Sequence, residues 1–429
     1  MTYEQARNYI KSVAKTGMNL GLSRMRELCR RLGDPQDTLS FIHIAGTNGK
    51  GSTAAYISSI LASSGYMVGR YVSPVVFRYE ECMQYEDGRG IHYIDKELLA
   101  QLVTRVAEVV DEMMADGWES PTVFEIETAV SFLAFCHWQC TVVLLEVGLG
   151  GREDATNIIH HVLASVITPI SKDHTGVLGD TLEEIARAKA GIIKEAGLVI
   201  TYQKEAGVLH VIESEAKTQR ADVVIVKQQS IKVLSADLHG TTFFYEGGQW
   251  QTIMPGIYQV ENACLAIETC RHLQLPNPIS QEKLFQGVYK AVWRGRFEVV
   301  DTEPLTILDG AHNIAGAEAL AKTIEQLLPD KKLHGIMGVF QDKEYKTMIH
   351  ILRPYFAEVI AITAPGARGM DKMILAEEWK KQGCPFVSVA ESVADAKEMA
   401  TAHCKEGEAI VLFGSLSFFK EYPYDEKRK

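Results

Sequence analysis

No uncharged apolar stretch of this 429-residue chain reaches the ~18 residues that a membrane-spanning helix requires. The N-terminus, MTYEQARNYIKSVAKTG, reads as an amphipathic helix charged throughout, so it is not expected to be a signal peptide. A basic excess is missing as well. Forty-four lysines and arginines face 55 aspartates and glutamates, a formal net charge of −11, and that balance argues against a nucleic-acid binder. Small anions are tolerated only where cationic side chains, glycine backbone or a metal converge. The eight cysteines (Cys29, Cys82, Cys136, Cys140, Cys264, Cys270, Cys384, Cys404) show no metal-ligand spacing. Cys136 and Cys140, four apart on an apolar helical stretch, suit packing better than zinc. Free thiols of a reducing compartment make the cytoplasm the expected location, with no membrane or nucleic-acid partner. Repeats and low-complexity tracts are absent.

Hydrophobic residues at 46% and charged residues at 23% fit a globular protein, and the length argues for two or three domains. From residue 40 strands alternate with helices. LSFIHIAG, YMVGRYVS, CTVVLLEVG and LASVITPI are apolar, β-branched runs of a parallel sheet covered on both faces. TLEEIARAKAGIIK is a helix opened by a threonine cap. Residues ~205–255 read as a β extension of this first domain, whose boundary is expected near residue 298. A smaller α/β domain follows, with PLTILDG, KLHGIMGVF, AEVIAITA and EAIVLFGS as its strands. The expected class is α/β: a P-loop-type, mostly parallel ATPase domain (1–297) and a Rossmann-like C-terminal domain (298–429).

FIHIAGTNGKGSTAAYISSIL, residues 41–61, concentrates the chemistry. A strand runs into a helix through Gly46, Gly49 and Gly51, so backbone N–H groups can approach an anion with no Cβ in the way. The helix dipole adds its positive end. Thr47 and Asn48 complete the loop. Lys50 places a charge beside phosphates, and Ser52 or Thr53 offers a hydroxyl to magnesium. Gly51 separates Lys50 from Ser52, so this is a variant of the Walker loop. Glu146 ends an apolar strand, where a hard ligand for Mg²⁺ fits a carboxylate that is expensive to bury alone. His174 closes another strand at the same expected edge.

GTNGKGST resembles the ATP loop of the Mur ligase superfamily, in particular the folylpolyglutamate and dihydrofolate synthases. EVGLGGREDATN, DHTGVLGDT, AKAGIIK, GRFE, DGAHN and FGSL follow in that family's order, over nearly the whole chain. The resemblance implies ATP and two magnesium sites, with Ser52, Ser73, Glu146 and His174 as metal ligands and Lys189 carbamylated by CO₂. It implies that Asn262 contacts adenine and ribose, that Arg296 reaches phosphates and that Asp309 sits at the nucleotide. His312 is implied beside the incoming amino acid or γ-phosphate, Ser415 near the glutamate site, and Phe124, Glu125 and Thr128 of TVFEIET beside the pterin or folate. The implied reaction activates a carboxylate through an acyl phosphate and joins it to L-glutamate; the implied assembly is a monomer. Val75 and Cys82 stand where the family has histidine and arginine, in the region approached by the pteridine-bearing substrate. A muramyl-type ligase and an ATP-sensing module are the alternatives. The first normally carries a UDP-sugar domain ahead of the phosphate loop, which here begins only ~40 residues in.

Overall fold

The computed structural model describes residues 1–13, 21–173 and 175–422. The chain divides into two compact units. The first comprises Met1–Ser73, Tyr79–Ser230 and Glu261–Ala291. Its strands are β1 (Phe41–Ala45), β2 (Val68–Tyr71), β3 (Met83–Asp87), β4 (Gly90–Tyr93), β5 (Val142–Glu146), β6 (Val162–Ile167), β7 (Leu198–Thr201) and β8 (Asp222–Ile225). They form one sheet in the order β4-β3-β2-β5-β1-β6-β7-β8, parallel from β2 to β8, with β3 and β4 antiparallel at one edge.

Burial follows from position in that sheet. β1 (FIHIA) and β5 (VVLLE) are central and buried at every residue, which explains their unbroken apolar runs. The helix Lys50–Ser63 is buried from Ser52 to Ala62, so small and apolar residues occur all round it instead of along one stripe. The helices Val123–His137 and Leu182–Ala190 both open with full capping boxes, Thr122 with Glu125 and Thr181 with Glu184. The second is the threonine cap expected from TLEE.

The second unit comprises Pro74–Arg78, Ile231–Val260 and Val292–Lys429. It contains a three-stranded antiparallel sheet, β9 (Lys232–Asp237), β10 (Gly240–Tyr245) and β11 (Gly248–Thr252). Its main sheet is built from β12 (Glu298–Thr302), β13 (Leu305–Leu308), β14 (Leu333–Met337), β15 (Phe356–Ala361), β16 (Phe386–Val389) and β17 (Ala409–Phe413). The order is β12-β13-β17-β14-β15-β16, parallel except for β12. Successive residues serve opposite faces: Met337 and Phe413 enter a core with Phe356 and Trp379, whereas Ile336 and Leu412 pack with Ile360 and Ala396.

The compact units cut the chain somewhat differently from the expected domains. The stretch 205–255 falls in both: the helix Ala206–Thr218 and β8 complete the first unit's parallel sheet, while β9–β11 group with the second unit. Leu238, at the β9–β10 turn, packs on the core containing Phe297, Ile307 and Leu320, and that burial draws the small sheet there. The chain passes finally into the second unit after Ala291, a few residues before 298. Among the described residues, no helix is long and apolar enough to cross a membrane.

Candidate active site

In the first unit, β2, β5, β1 and β6 are neighbours and parallel, so their carboxyl ends share one edge. The register pairs Ile44 with Glu146 and Ala45 with Ile167, which levels the ends of the three central strands. Open α/β sheets place ligands at this edge. Here it gathers the 46–53 loop after β1, Glu146 at the end of β5, Ser73 two residues beyond β2, and the segment from Thr168 to Asp173 after β6. His174 lies outside the described residues.

The loop is shaped by steric necessity. Gly46 has φ +147°, and a Cβ there would lie 1.8 Å from Thr168 Oγ1. Gly49 has φ +89°, and its Cβ would lie 2.4 Å from Asn262 Oδ1, so Asn262 packs on the loop. Thr47 is pinned at both ends: its N–H donates to Pro169 O (3.1 Å) and its hydroxyl to Ser171 O (3.0 Å). Gly51 and Ser52 lie in the first turn of the helix, whose Thr53 N–H donates to Gly49 O at 2.8 Å. Thr53 Oγ1 is buried with no hydrogen-bond partner among the described residues.

Lys50 is less solvated than its loop position suggests. Its side chain is 17% exposed, donates to Gly46 O and Thr47 O at 3.3 Å each, and stands 3.8 Å from Glu146 Oε1. Lys189 arrives from the capped helix Leu182–Ala190 and donates to Gly46 O at 2.8 Å. Burial, reinforced by repulsion from Lys50, lowers its pKa to about 7, against the pull of Asp173 and Asp154. Lys189 is therefore a buried amine against the phosphate loop.

The three residues assigned to the pterin side separate. Phe124 is half-buried, 5.7 Å from the Tyr71 ring and against the loop after β5, where a Cβ on Gly148 would lie 2.5 Å from its ring. Glu125 instead closes its capping box through Thr122 N–H (2.7 Å) and pairs with Arg24 Nε (3.2 Å). Thr128 is fully buried and donates to Phe124 O at 2.7 Å. Helix start and core packing claim these two side chains.

One network escaped the sequence reading. Asp154 accepts from Leu149 N–H (2.8 Å) and from Thr156 N–H and Oγ1 (3.0 and 2.5 Å), and Thr156 Oγ1 meets His43 Nε2 at 2.8 Å. Burial raises the Asp154 pKa and lowers that of His43. EDATN carried the signal, since an aspartate two residues before a threonine caps a short turn.

In the second unit, β13 and β17 are parallel neighbours whose carboxyl ends carry DGAHN and FGSL. Asp309 is buried and accepts from Tyr258 OH (3.2 Å), Phe297 N–H (3.0 Å) and Ala311 N–H (2.9 Å). Burial raises its pKa, opposed by Arg296 and these donors. Arg296 Nη1 donates to Gly310 O at 3.0 Å, and Gly310 N–H to Gly295 O at 2.9 Å, so GRFE and DGAHN brace each other. His312 Nδ1 donates to the same Gly310 O at 2.8 Å. Asn313, not His312, caps the following helix. Ser415 is buried and caps the turn Leu416–Glu421, accepting from Ser417 N–H at 3.2 Å.

The residues present fit the groups that the fold implies. A Cβ-free cradle with a buried, unsatisfied hydroxyl suits a phosphate chain, and Ser52, Ser73 and Glu146 are hard oxygen donors suited to magnesium. A strand–loop–helix phosphate cradle under one sheet, with a second doubly wound sheet unit following, defines an ATP-dependent ligase of the Mur type. Residues 44–270 match the Mur ligase middle domain and residues 295–416 the Mur ligase glutamate ligase domain. A dihydrofolate synthase/folylpolyglutamate synthase of Bacillus subtilis is 37% identical over 81% of this chain and 82% of its own length. A folylpolyglutamate synthase structure from Thermotoga maritima superposes with TM-score 0.83 at 32% identity, over 97% of this chain and 95% of that one. An Escherichia coli structure in complex with DHPP and ADP gives TM-score 0.84 at 28% identity, over 98% and 96%. The chain belongs to the folylpolyglutamate synthase/dihydrofolate synthase family.

Proposed function

We propose that this protein joins the α-amino group of L-glutamate to the free carboxylate of a folate or dihydropteroate, using ATP. A carboxylate oxygen attacks the γ-phosphorus and ADP leaves. The glutamate nitrogen then attacks the acyl carbon, loses a proton, and phosphate departs. The single observation that carries the reading is the cradle itself, Gly46 to Thr53, with Lys50 and Glu146 at 3.8 Å.

Phosphoryl transfer of this kind needs positioning and charge neutralisation more than covalent chemistry. Loop N–H groups and Lys50 grip the phosphates, and Asn262 fixes the loop from the side. Ser52, Ser73 and Glu146 would hold magnesium, which would supply charge neutralisation at the phosphate oxygens; His174 would complete the ligand set that the resemblance implies. Neutral Lys189 is the form of amine that CO₂ carbamylates, giving an anion next to this cluster. In the second unit, Arg296 and the Asp309 loop hold His312, whose Nε2 is the candidate acceptor of the amine proton. Phe124 is the remaining candidate for contact with the pteridine-bearing substrate.

Phosphate release with ATP and glutamate, run with dihydropteroate, with tetrahydrofolate and without acceptor, tests the assignment. Acceptor-dependent release is expected; equal rates in all three overturn it. A ranking of the two acceptors decides whether Val75 and Cys82 narrow the activity to one of them.

A further inference from the structure

A second cluster of ligating side chains lies in the second unit, at the amino ends of its strands, opposite the edge that carries Asp309 and His312. His334 is the second residue of β14, Glu408 immediately precedes β17, and Cys404 follows the helix Val393–His403. Their donor atoms lie within 4.8 Å of one another. We propose that His334, Cys404 and Glu408 form a site for a borderline-soft divalent cation of the zinc class, with water as the fourth ligand.

The arrangement of His334 carries the argument. Its ring is almost wholly buried, and both nitrogens face carboxylates: Nδ1 meets Glu358 Oε2 at 2.8 Å and Nε2 meets Glu408 Oε2 at 2.8 Å. With Nδ1 turned to Glu358, Nε2 faces Glu408, and the Cys404 sulfur lies within 4.8 Å of both ligand atoms. A carboxylate behind a ligating imidazole is the usual outer support of a metal site, because it fixes the tautomer and strengthens the donor. Glu358 is itself held by His403 Nδ1 at 2.7 Å, and its place opposite His334 is set by the β14–β15 register. Glu408 is oriented by Lys405 N–H at 2.9 Å. Cys404 is half-buried, so the cation has a way in. Lys332, 3.5 Å from Glu408 Oε1, balances part of the acidic charge. A thiol and an imidazole select zinc-like ions over the magnesium expected at the phosphate loop.

The test uses the full chain, stripped with a chelator and titrated with Co²⁺ as the spectroscopic stand-in for zinc. One Co²⁺ per chain with a sulfur-to-cobalt charge-transfer absorption is expected. Cys404→Ser should abolish that absorption while leaving ATP-dependent turnover with magnesium unchanged, since the site lies at the far edge of the sheet. Glu358→Gln keeps all three ligands and should weaken Co²⁺ binding by about 10–100-fold. Wild-type protein without stoichiometric Co²⁺, or an absorption that survives in Cys404→Ser, overturns the proposal. Cys404 is only half-buried, so its serine variant should fold, and a thermal melt verifies that.

Discussion

Lys189 offers the sharpest test of the phosphate-loop geometry. It is 6% exposed, hydrogen-bonded to Gly46 O at 2.8 Å, and its pKa falls from 10.5 to about 7. At 1.36 kcal/mol per unit, that shift penalises the protonated form in the folded chain by roughly 5 kcal/mol. The sign follows from proton counting. Between pH 7 and 10.5 the unfolded chain holds a proton on this amine that the folded chain lacks, so stability rises with pH across that window. Below pH 7 both states are protonated and the full penalty applies. Lys189→Met removes the titration and keeps most of the apolar stem. Urea denaturation in CO₂-free buffer at pH 7.5 and 9.0 reads the effect, with the loss of the Gly46 hydrogen bond entering as a constant offset. Wild type should gain about 2 kcal/mol on the variant over those 1.5 units. A pH-independent difference would refute the buried neutral amine. With ¹³C-bicarbonate added, a carbamate resonance absent from Lys189→Met would show that the amine reacts as proposed.

Three further outcomes are expected. Lys50→Met should lower ATP turnover by about 10²–10³-fold, as loss of one preorganised charge on a transferring group does, and should also lower the melting temperature because Glu146 loses its cation. Gly46→Ala should destabilise the fold by at least about 1–3 kcal/mol, the overpacking cost of a Cβ 1.8 Å from the buried Thr168 hydroxyl; an unchanged denaturation midpoint would contradict the cradle geometry. Asp309→Asn puts an amide donor where the carboxylate accepts from Tyr258, Phe297 and Ala311, so about 1–3 kcal/mol of stability should be lost along with turnover, read by denaturation and phosphate release.

Features that depend on local backbone chemistry were legible in the chain. Gly46, Gly49 and Lys50 encode a strand–loop–helix turn, and Thr181 followed by Glu184 encodes a helix start. Glu146 ends a buried strand and could be placed at the ligand edge without any contact map. What could not be read depends on tertiary competition. β9–β11 alternate weakly and could pack on either neighbouring core, and Leu238 packs on the core that contains Phe297 and Ile307. Glu125 and Ser415 show the same ambiguity on the scale of one side chain. A carboxylate three residues after a threonine reads equally as ligand or capping box, and here the box and Arg24 hold it. The helices Tyr345–Leu352 and Lys372–Lys381 are short, and their structure rests on Met348, Ile349, Leu352, Leu375 and Trp379 entering the second unit's core.

The departure at Cys82 leads to one more prediction. Cys82 is buried, and burial together with the Glu127 charge raises its thiol pKa, so it stays neutral where an arginine would carry a positive charge. Glu127 lies beside it half-buried, accepts from Tyr79 OH at 2.7 Å, and faces the charge of Arg7, whose guanidinium lies 3.1 Å from the Tyr79 ring centre. Burial raises the Glu127 pKa; the Tyr79 hydrogen bond and Arg7 oppose the rise without cancelling it. A carboxyl raised in the folded state keeps its proton while the unfolded chain loses one. Stability from this group is therefore present below pH 4.5 and declines as pH climbs through the raised value. Glu127→Gln retains an acceptor for Tyr79 and removes the charge, so its advantage over wild type should grow from pH 4.5 to 7. Arg7→Met should do the reverse, steepening the wild-type decline because the opposing cation is gone. If denaturation midpoints of Glu127→Gln and wild type run parallel across that range, the carboxyl is paired elsewhere and the cation missing at position 82 is not replaced by the N-terminal helix.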